Sequence, residues 1–252
     1  IPEGKFKEEK GVVSFKDLLR KSNNTGEANP REGRPIEILY TGGTTKHPKG
    51  VPINHALFVE SVKTQLEVAY PIVPPPTNVV LQGGPLFHIL GQVFGLGPVC
   101  VTGDTVVIMP RVNIDAFLYA VEHFRIKTFF GVPALFRMML EHDRLDFYDL
   151  SSLLYCFSGG DVLPLEIAKR WKEKFGIEIY QGYGTTETCG GVTLDPVQGE
   201  LPPGTVGKLL PTKKVKIVDE LTLKEVDPGE AGELLVHSDH MVDHYLNKEE
   251  ET

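Results

Sequence analysis

Between residues 78 and 184 the chain keeps changing hydrophobic period, and this alternation limits its fold more than any other feature. Short runs rich in apolar and β-branched residues, at 78–82, 105–109, 127–130, 153–157 and 178–180, read as strands. Helical spacing separates them. Asn113 predicts an N-cap, with Ile114, Phe117, Leu118 and Val121 on one face and Asp115 suited to the first turn. Pro133 opens a second helix with Leu135, Phe136, Met139 and Leu140 inward. Pro164 opens a third, with Leu165, Ala168, Trp171 and Phe175 on one face and Gly176 to close it. The class is therefore α/β: a mostly parallel sheet flanked by helices. Ligands of such sheets sit at the carboxyl ends of the strands. Glycine-bearing segments follow strands at 42–50, 158–160 and 182–184, and the spacing predicts that they line one edge together.

From about Leu201 the pattern becomes strand-like at 214–219 and 233–237, separated by Asp227-Pro228-Gly229-Glu230, which predicts a β-rich subdomain. The expected organisation is an N-terminal segment and linker over 1–35, an α/β nucleotide- and acyl-binding region over 36–200, and a truncated β-rich subdomain over 201–252. Within the first part, Val13, Phe15, Leu18 and Leu19 suggest a short strand and helix, and residues 21–35 read as exposed linker. The chain begins at Ile1 without methionine and ends in Glu-Glu-Glu-Thr, so both ends are expected to be cut from a longer protein.

At 252 residues, 41% hydrophobic and 24% charged, the chain has the composition of an ordinary globular protein with a sizeable core. A net charge of −8 argues against a nucleic-acid surface. Cys100, Cys156 and Cys189 are scattered and odd in number; they favour a reducing, cytoplasmic setting and read as small core residues. The interval 68–103 has no charged Asp, Glu, Lys or Arg, but its prolines and glycines leave no stretch of the ~20 residues a membrane helix needs. It reads as buried strand and loop, with peripheral membrane contact left open. Oligomeric state is not legible.

Two segments point to chemistry. Residues 36–41 form an apolar run feeding Gly42-Gly43-Thr44-Thr45-Lys46-His47-Pro48-Lys49-Gly50, and Asn54 then caps a helix with the spacing Val59, Val62, Leu66, Ala69. Strand, glycine-rich loop and helix make an anion cradle, because glycine backbones approach closely, hydroxyls donate and lysine supplies charge. The loop is not a Walker A motif, which needs Gly-Lys-Ser/Thr at its end; a plain turn-rich loop is the competing reading. The second segment is Tyr183-Gly184-Thr185-Thr186-Glu187. Its carboxylate could ligate Mg²⁺ beside hydroxyls on phosphate, or Thr186 could cap a helix with Glu187 in its first turn. A further cluster, His237, His240 and His244 with Asp239 and Asp243, would put His240 and His244 on one face if helical, as metal ligands can be.

At these loops the chain resembles the adenylate-forming (AMP-binding) superfamily of acyl-CoA synthetases, luciferases and nonribosomal adenylation domains. Residues 40–50 resemble its phosphate loop, Tyr-Thr-Ser-Gly-Thr-Thr-Gly-x-Pro-Lys-Gly. Pro85-Leu86-Phe87-His88-Ile89 resembles its Pro-Leu-Phe-His motif, and Ser158-Gly159-Gly160-Asp161 its adenine-contacting segment. Gln181-Gly182-Tyr183-Gly184-Thr185-Thr186-Glu187 resembles Gln-Gly-Tyr-Gly-x-Thr-Glu. Gly232-Glu233-Leu234 through Tyr245-Leu246-Asn247 to Thr252 resembles the last motif.

The resemblance implies ATP, Mg²⁺ and CoA as ligands. Thr41, Gly42, Gly43, Thr44, Thr45 and Lys49 would hold the β- and γ-phosphates. Gly159, Gly160 and Asp161, with Gln181, Gly182 and Tyr183, would lie against adenine, Tyr183 stacking on it. Gly184 and Thr185 complete that motif, Thr186 would touch the α-phosphate, Glu187 would ligate Mg²⁺, and His88 would sit near the reacting carboxylate. Thr186, Glu187 and His88 are the candidate catalytic residues. The chain departs from the family at Lys46, where glycine is usual. The family's ribose-binding aspartate and its catalytic lysine would fall beyond Thr252, so this chain alone is expected to be an incomplete, inactive piece. The implied parent activity is ligation of a medium- or long-chain fatty acid to CoA. An aromatic acid–CoA ligase is the alternative within the class, and a non-catalytic nucleotide- or acyl-binding module the alternative outside it. The apolar stretch 86–97 would line a hydrocarbon pocket or be core.

Overall fold

A computed structural model describes residues 34–42, 47–109, 111–199, 202–248 and 250. The features expected before Arg34 lie outside the described residues, as do Gly43, Thr44, Thr45 and Lys46. Residues 35–252 make up a unit of their own.

The chain enters through an antiparallel pair, β1 (Pro35–Thr41) and β2 (Lys49–Asn54). Here the sequence expectation is corrected. The glycine-rich loop does not lead into a helix; it joins two strands, and helix α1 (His55–Glu67) follows only after β2. Val51 and Ile53 are fully buried at alternate positions, and that period-two burial holds 49–54 extended. Asn54 caps α1 as expected, its Oδ1 accepting from the Leu57 N–H at 2.8 Å.

The central sheet has seven strands in the order β4–β3–β5–β6–β7–β8–β9: Thr105–Ile108, Val79–Gln82, Thr128–Gly131, Tyr155–Ser158, Ile179–Thr185, Gly190–Leu194 and Lys208–Leu209. Pairing is parallel from β4 to β7 and antiparallel through β8 and β9. Strands β10 (Lys214–Val218) and β11 (Glu233–His237) form a separate antiparallel pair. The fold is thus α/β with a mostly parallel sheet, followed by β structure, as the sequence predicts.

Successive strand residues face opposite sides. In β5 and β6, Phe129 and Cys156 join a core with Phe117, Phe136 and Trp171, while Phe130, Tyr155 and Phe157 join a second core with Leu57, Val93 and Phe94. The first core lies under three helices after the helical segment near residue 90: α3 (Ile114–Phe124), α4 (Pro133–Leu140) and α5 (Leu165–Phe175). Asn113 caps α3 through its side chain, Pro133 opens α4, and α5 ends at Gly176 with φ of 72°. Leu165, expected inward, is exposed; Ile167 and Trp171 carry the buried face of α5.

Residues 68–103 are not strand and loop throughout. After β3 the chain winds helically as α2 (Ile89–Gly91) and continues in wider π-helical turns, Gln92–Leu96 and Pro98–Thr102. Glycines that read as breakers are close-approach sites. A Cβ on Gly91 would sit 2.0 Å from the Pro85 carbonyl oxygen, and one on Gly95 2.6 Å from the Gln82 side chain. Ile89, Val93 and Phe94 are buried in the second core, so the inward part of 86–97 is core. Cys156 and Cys189 are buried as expected, but Cys100 is exposed. Among the described residues no helix is long and apolar enough to cross a membrane.

Candidate active site

A cavity of about 520 Å³ opens where the adjoining ends of β1 and β2, α2, the end of β6 and the β7–β8 connection meet. Of the residues the sequence singled out, Thr41, Gly42, Lys49, His88, Gly160, Gly184, Thr185, Thr186 and Glu187 line it. Gly159, Asp161, Gln181, Gly182 and Tyr183 do not. The three glycine segments therefore do share one edge. Gly182 has a packing reason of its own: a Cβ there would lie 2.5 Å from Leu194 Cδ2 and 2.6 Å from the Thr193 carbonyl oxygen.

The carboxylate segment is a turn. Thr186–Cys189 reverses the chain between β7 and β8, so Thr186 caps no helix. Cys189 sits at φ of 54° and Gly190 at 102°, left-handed geometry that a continuing helix cannot use. Thr185 and Thr188 brace the turn. The Thr185 N–H donates to Thr188 Oγ1 at 3.0 Å, the Thr188 N–H donates to Thr185 Oγ1 at 3.2 Å, and Thr188 Oγ1 donates to the Gly190 carbonyl at 2.7 Å.

Glu187 is held from a segment whose role the sequence reading left open. Its Oε1 accepts from the Tyr245 hydroxyl at 2.7 Å, and its carbonyl accepts from the Val242 N–H at 2.9 Å. The ring of Tyr245 lies under Lys49, whose Nζ is 4.7 Å from its centroid. His88 caps α2, its Nδ1 accepting from the Leu90 N–H at 3.3 Å. A neutral imidazole so held carries its proton on Nε2 and is a donor there.

Beneath the turn runs a polar layer that hydrophobic spacing did not announce. α1 buries Ser61 and Gln65 beside Leu57 and Val62, in place of the expected Val59 and Leu66. Ser61 Oγ donates to the Cys189 carbonyl at 2.7 Å, and Gln65 Oε1 accepts from the Gly191 N–H at 2.6 Å. Lys213, only 3% exposed, donates to the carbonyls of Thr188 and His240, both at 2.9 Å. Burial pushes the Lys213 ammonium down from its usual range and the Cys189 thiol up to about 12. The sequence signal for Ser61 and Gln65 was their i, i+4 placement among apolar residues of α1; Lys213 carried none.

The cavity's donor set suits a phosphate-bound Mg²⁺. One carboxylate, Glu187, stands among hydroxyls and an ammonium, and among the described residues no cluster of three or more His, Cys, Asp or Glu could cage a metal. Mg²⁺ keeps several waters and takes one or two protein carboxylates plus substrate phosphates. His240 and His244 lie on a turn and loop after β11 and share no helix face; His244 Nδ1 instead pairs with Asp243 at 2.6 Å.

At the strand ends of this mostly parallel α/β sheet the cavity brings a lysine, hydroxyls and a carboxylate together. The chain belongs to the AMP-binding enzyme family, which matches residues 3–246. It is 30% identical over 240 residues to an indoleacetate–CoA ligase of Aromatoleum aromaticum, covering 94% of this chain and 46% of the relative. It is also 30% identical to a long-chain-fatty-acid–CoA ligase of Bacillus subtilis, over 85% of this chain and 38% of the relative. Among solved structures, an anthranilate CoA ligase in complex with anthranoyl-AMP superposes with a TM-score of 0.83 at 26% identity, over 95% of this chain and 46% of that one. The chain spans less than half the length of these relatives.

Proposed function

We propose that this chain is the phosphate- and carboxylate-binding part of an AMP-forming acid–thiol ligase. Its substrates would be a carboxylic acid, ATP and CoA. The observation that carries the reading is the convergence of Lys49, His88, Gly160, Thr186 and Glu187 on one cavity from separate elements of the fold.

In the proposed chemistry, a carboxylate oxygen attacks the α-phosphorus of ATP, the bond to the bridging oxygen breaks, and pyrophosphate leaves. A thiol then attacks the acyl carbon and AMP departs. Lys49 and the loop after Thr41 would grip the departing phosphates, where a fixed cation stabilises developing charge. Thr186 would donate to the α-phosphate, and the Nε2–H of His88 would face the reacting carboxyl. Mg²⁺ held by Glu187 would neutralise phosphate charge as it shifts. Gly159, Gly160, Asp161 and the β7 residues Gln181, Gly182 and Tyr183 would receive the adenine.

For the acid we propose a medium- or long-chain fatty acid, in a cytoplasmic setting, on the likeness of residues 85–89 to the acyl-CoA synthetase motif. An aromatic acid is the second reading. The similarity to the indoleacetate and anthranilate ligases favours it. Pyrophosphate release by the whole protein, screened against acids of graded chain length and aromaticity, decides between them. If no acid elicits release while ATP still binds, the ligase reading fails and a binding module is left.

A further inference from the structure

Residues 242–246 cross from one half of the cavity wall to the other. At one end the Val242 N–H donates to the Glu187 carbonyl at 2.9 Å, and at the other the Leu246 N–H donates to the Gly50 carbonyl at 2.8 Å. Between these anchors the Tyr245 side chain reaches both charged groups of the site. Its hydroxyl donates to Glu187 Oε1 at 2.7 Å, and its ring carries the Lys49 ammonium 4.7 Å from the centroid. Among the described residues Glu187 Oε2 receives no hydrogen bond. A carboxylate fixed through one oxygen by a phenol presents the other in a set direction. A cation resting on a ring face is likewise confined.

We infer that Tyr245 is a positioning residue that sets Glu187 and Lys49 at a fixed separation, with its hydroxyl serving the divalent cation and its ring serving the phosphates. The inference rests on the proposed reading of the cavity. It makes the two parts of one side chain separable. Tyr245→Phe frees Glu187 but leaves the ring under Lys49. Tyr245→Leu removes both supports.

The test uses Mn²⁺, followed by electron paramagnetic resonance, with α,β-methylene-ATP as an unreactive nucleotide. Nucleotide affinity in EDTA is measured alongside. Partners of metal ligands typically contribute ten- to a hundredfold to affinity. We expect Tyr245→Phe to weaken Mn²⁺ roughly tenfold in the nucleotide complex while metal-free nucleotide affinity stays within about twofold of wild type. Tyr245→Leu should weaken both. In a Glu187→Gln background, Tyr245→Phe should have no further effect on Mn²⁺, since the partner it orients is gone. Wild-type Mn²⁺ affinity in Tyr245→Phe overturns the inference. So does an equal loss with and without metal, which would mean that Tyr245 only packs, and so does a full additional loss in the Glu187→Gln background. If the wild-type chain binds neither probe, the reading of the cavity itself fails and the inference falls with it.

Discussion

The carboxamide of Gln65 bridges α1 to the strand that leaves the carboxylate turn. Its oxygen accepts from the Gly191 N–H at 2.6 Å, and its nitrogen donates to the carbonyls of Ser61 at 2.9 Å and Cys189 at 3.3 Å. Gln65 is 2% exposed, so no water replaces these partners if the amide goes. Gln65→Leu conserves the volume but orphans a buried N–H and weakens the hold on the Cys189 carbonyl. Each buried polar group left without a partner costs about 1–3 kcal/mol. The expected result is a lower urea midpoint with an unchanged slope, and weaker nucleotide binding, because the turn carrying Glu187 hangs from this bridge. An unchanged midpoint would show that the amide is dispensable.

The cysteines offer a second measurement. Burial pushes the Cys156 and Cys189 thiols up to about 12, and Cys100 is exposed. The thiolate is the reactive species, so both buried thiols should be inert at neutral pH. Iodoacetamide at pH 7.5 should label Cys100 alone in the native chain and all three after denaturation, read by peptide mass spectrometry. Rapid native labelling at Cys189 would mean that the turn above it opens readily.

These relationships divide what the sequence could and could not disclose. Asn54, Asn113 and Pro133 announced helix starts because a cap is a local event, decided within one turn of chain. Strand positions in the parallel sheet were legible because strands buried on both faces read as continuous apolar runs. The convergence of Lys49, Gly160 and Glu187 followed from where α/β sheets bind ligands. What stayed hidden was set by distant partners. Gly91 and Gly95 look like breaks until Pro85 and Gln82 are found against them. At Thr186 and Glu187 a helix start stays open beside a metal ligand until Cys189 turns left-handed. Tyr245 meets its partner 58 residues away, a distance no periodicity spans.

Asp195 supplies a pH test. Its Oδ2 accepts from the Gln181 N–H at 2.7 Å, but its buried Oδ1 has no hydrogen-bond partner among the described residues. Burial raises its titration above the usual 3.8. The folded chain then binds more protons than the unfolded chain between 3.8 and the raised value, so this group's contribution to stability falls as pH climbs through that window. At neutral pH the charge is a net penalty. Asp195→Asn keeps an acceptor for Gln181 and removes the charge. It should match or exceed wild type in urea midpoint at pH 7, with any advantage shrinking as pH drops toward 4. A variant clearly weaker at pH 7 would mean that the charge has an attractive partner.

Lys213 is the opposite case, a buried cation whose partners are carbonyls. Among the described residues it makes no ion pair, yet its Nζ ties Thr188, next to Glu187, to His240, in the segment that leads to Tyr245. Burial lowers its pKa below 10.5. Here the folded chain binds fewer protons than the unfolded chain between the lowered value and 10.5, so the wild type gains stability as pH rises through that range. The neutral amine still has the two N–H donors the carbonyls need. Lys213→Met removes the desolvated charge but leaves both carbonyls unpaired, and the second effect should win. We expect a loss of about 1–3 kcal/mol at pH 7 from the orphaned acceptors. That loss should grow as pH rises from 7 toward 10.5, because the folded wild type releases the lysine proton before its unfolded chain does and the methionine does not titrate. Chemical denaturation at the two pH values measures it. Equal stability of variant and wild type at both would show that Thr188 and His240 find other donors, and that the turn bearing Glu187 stands without this lysine.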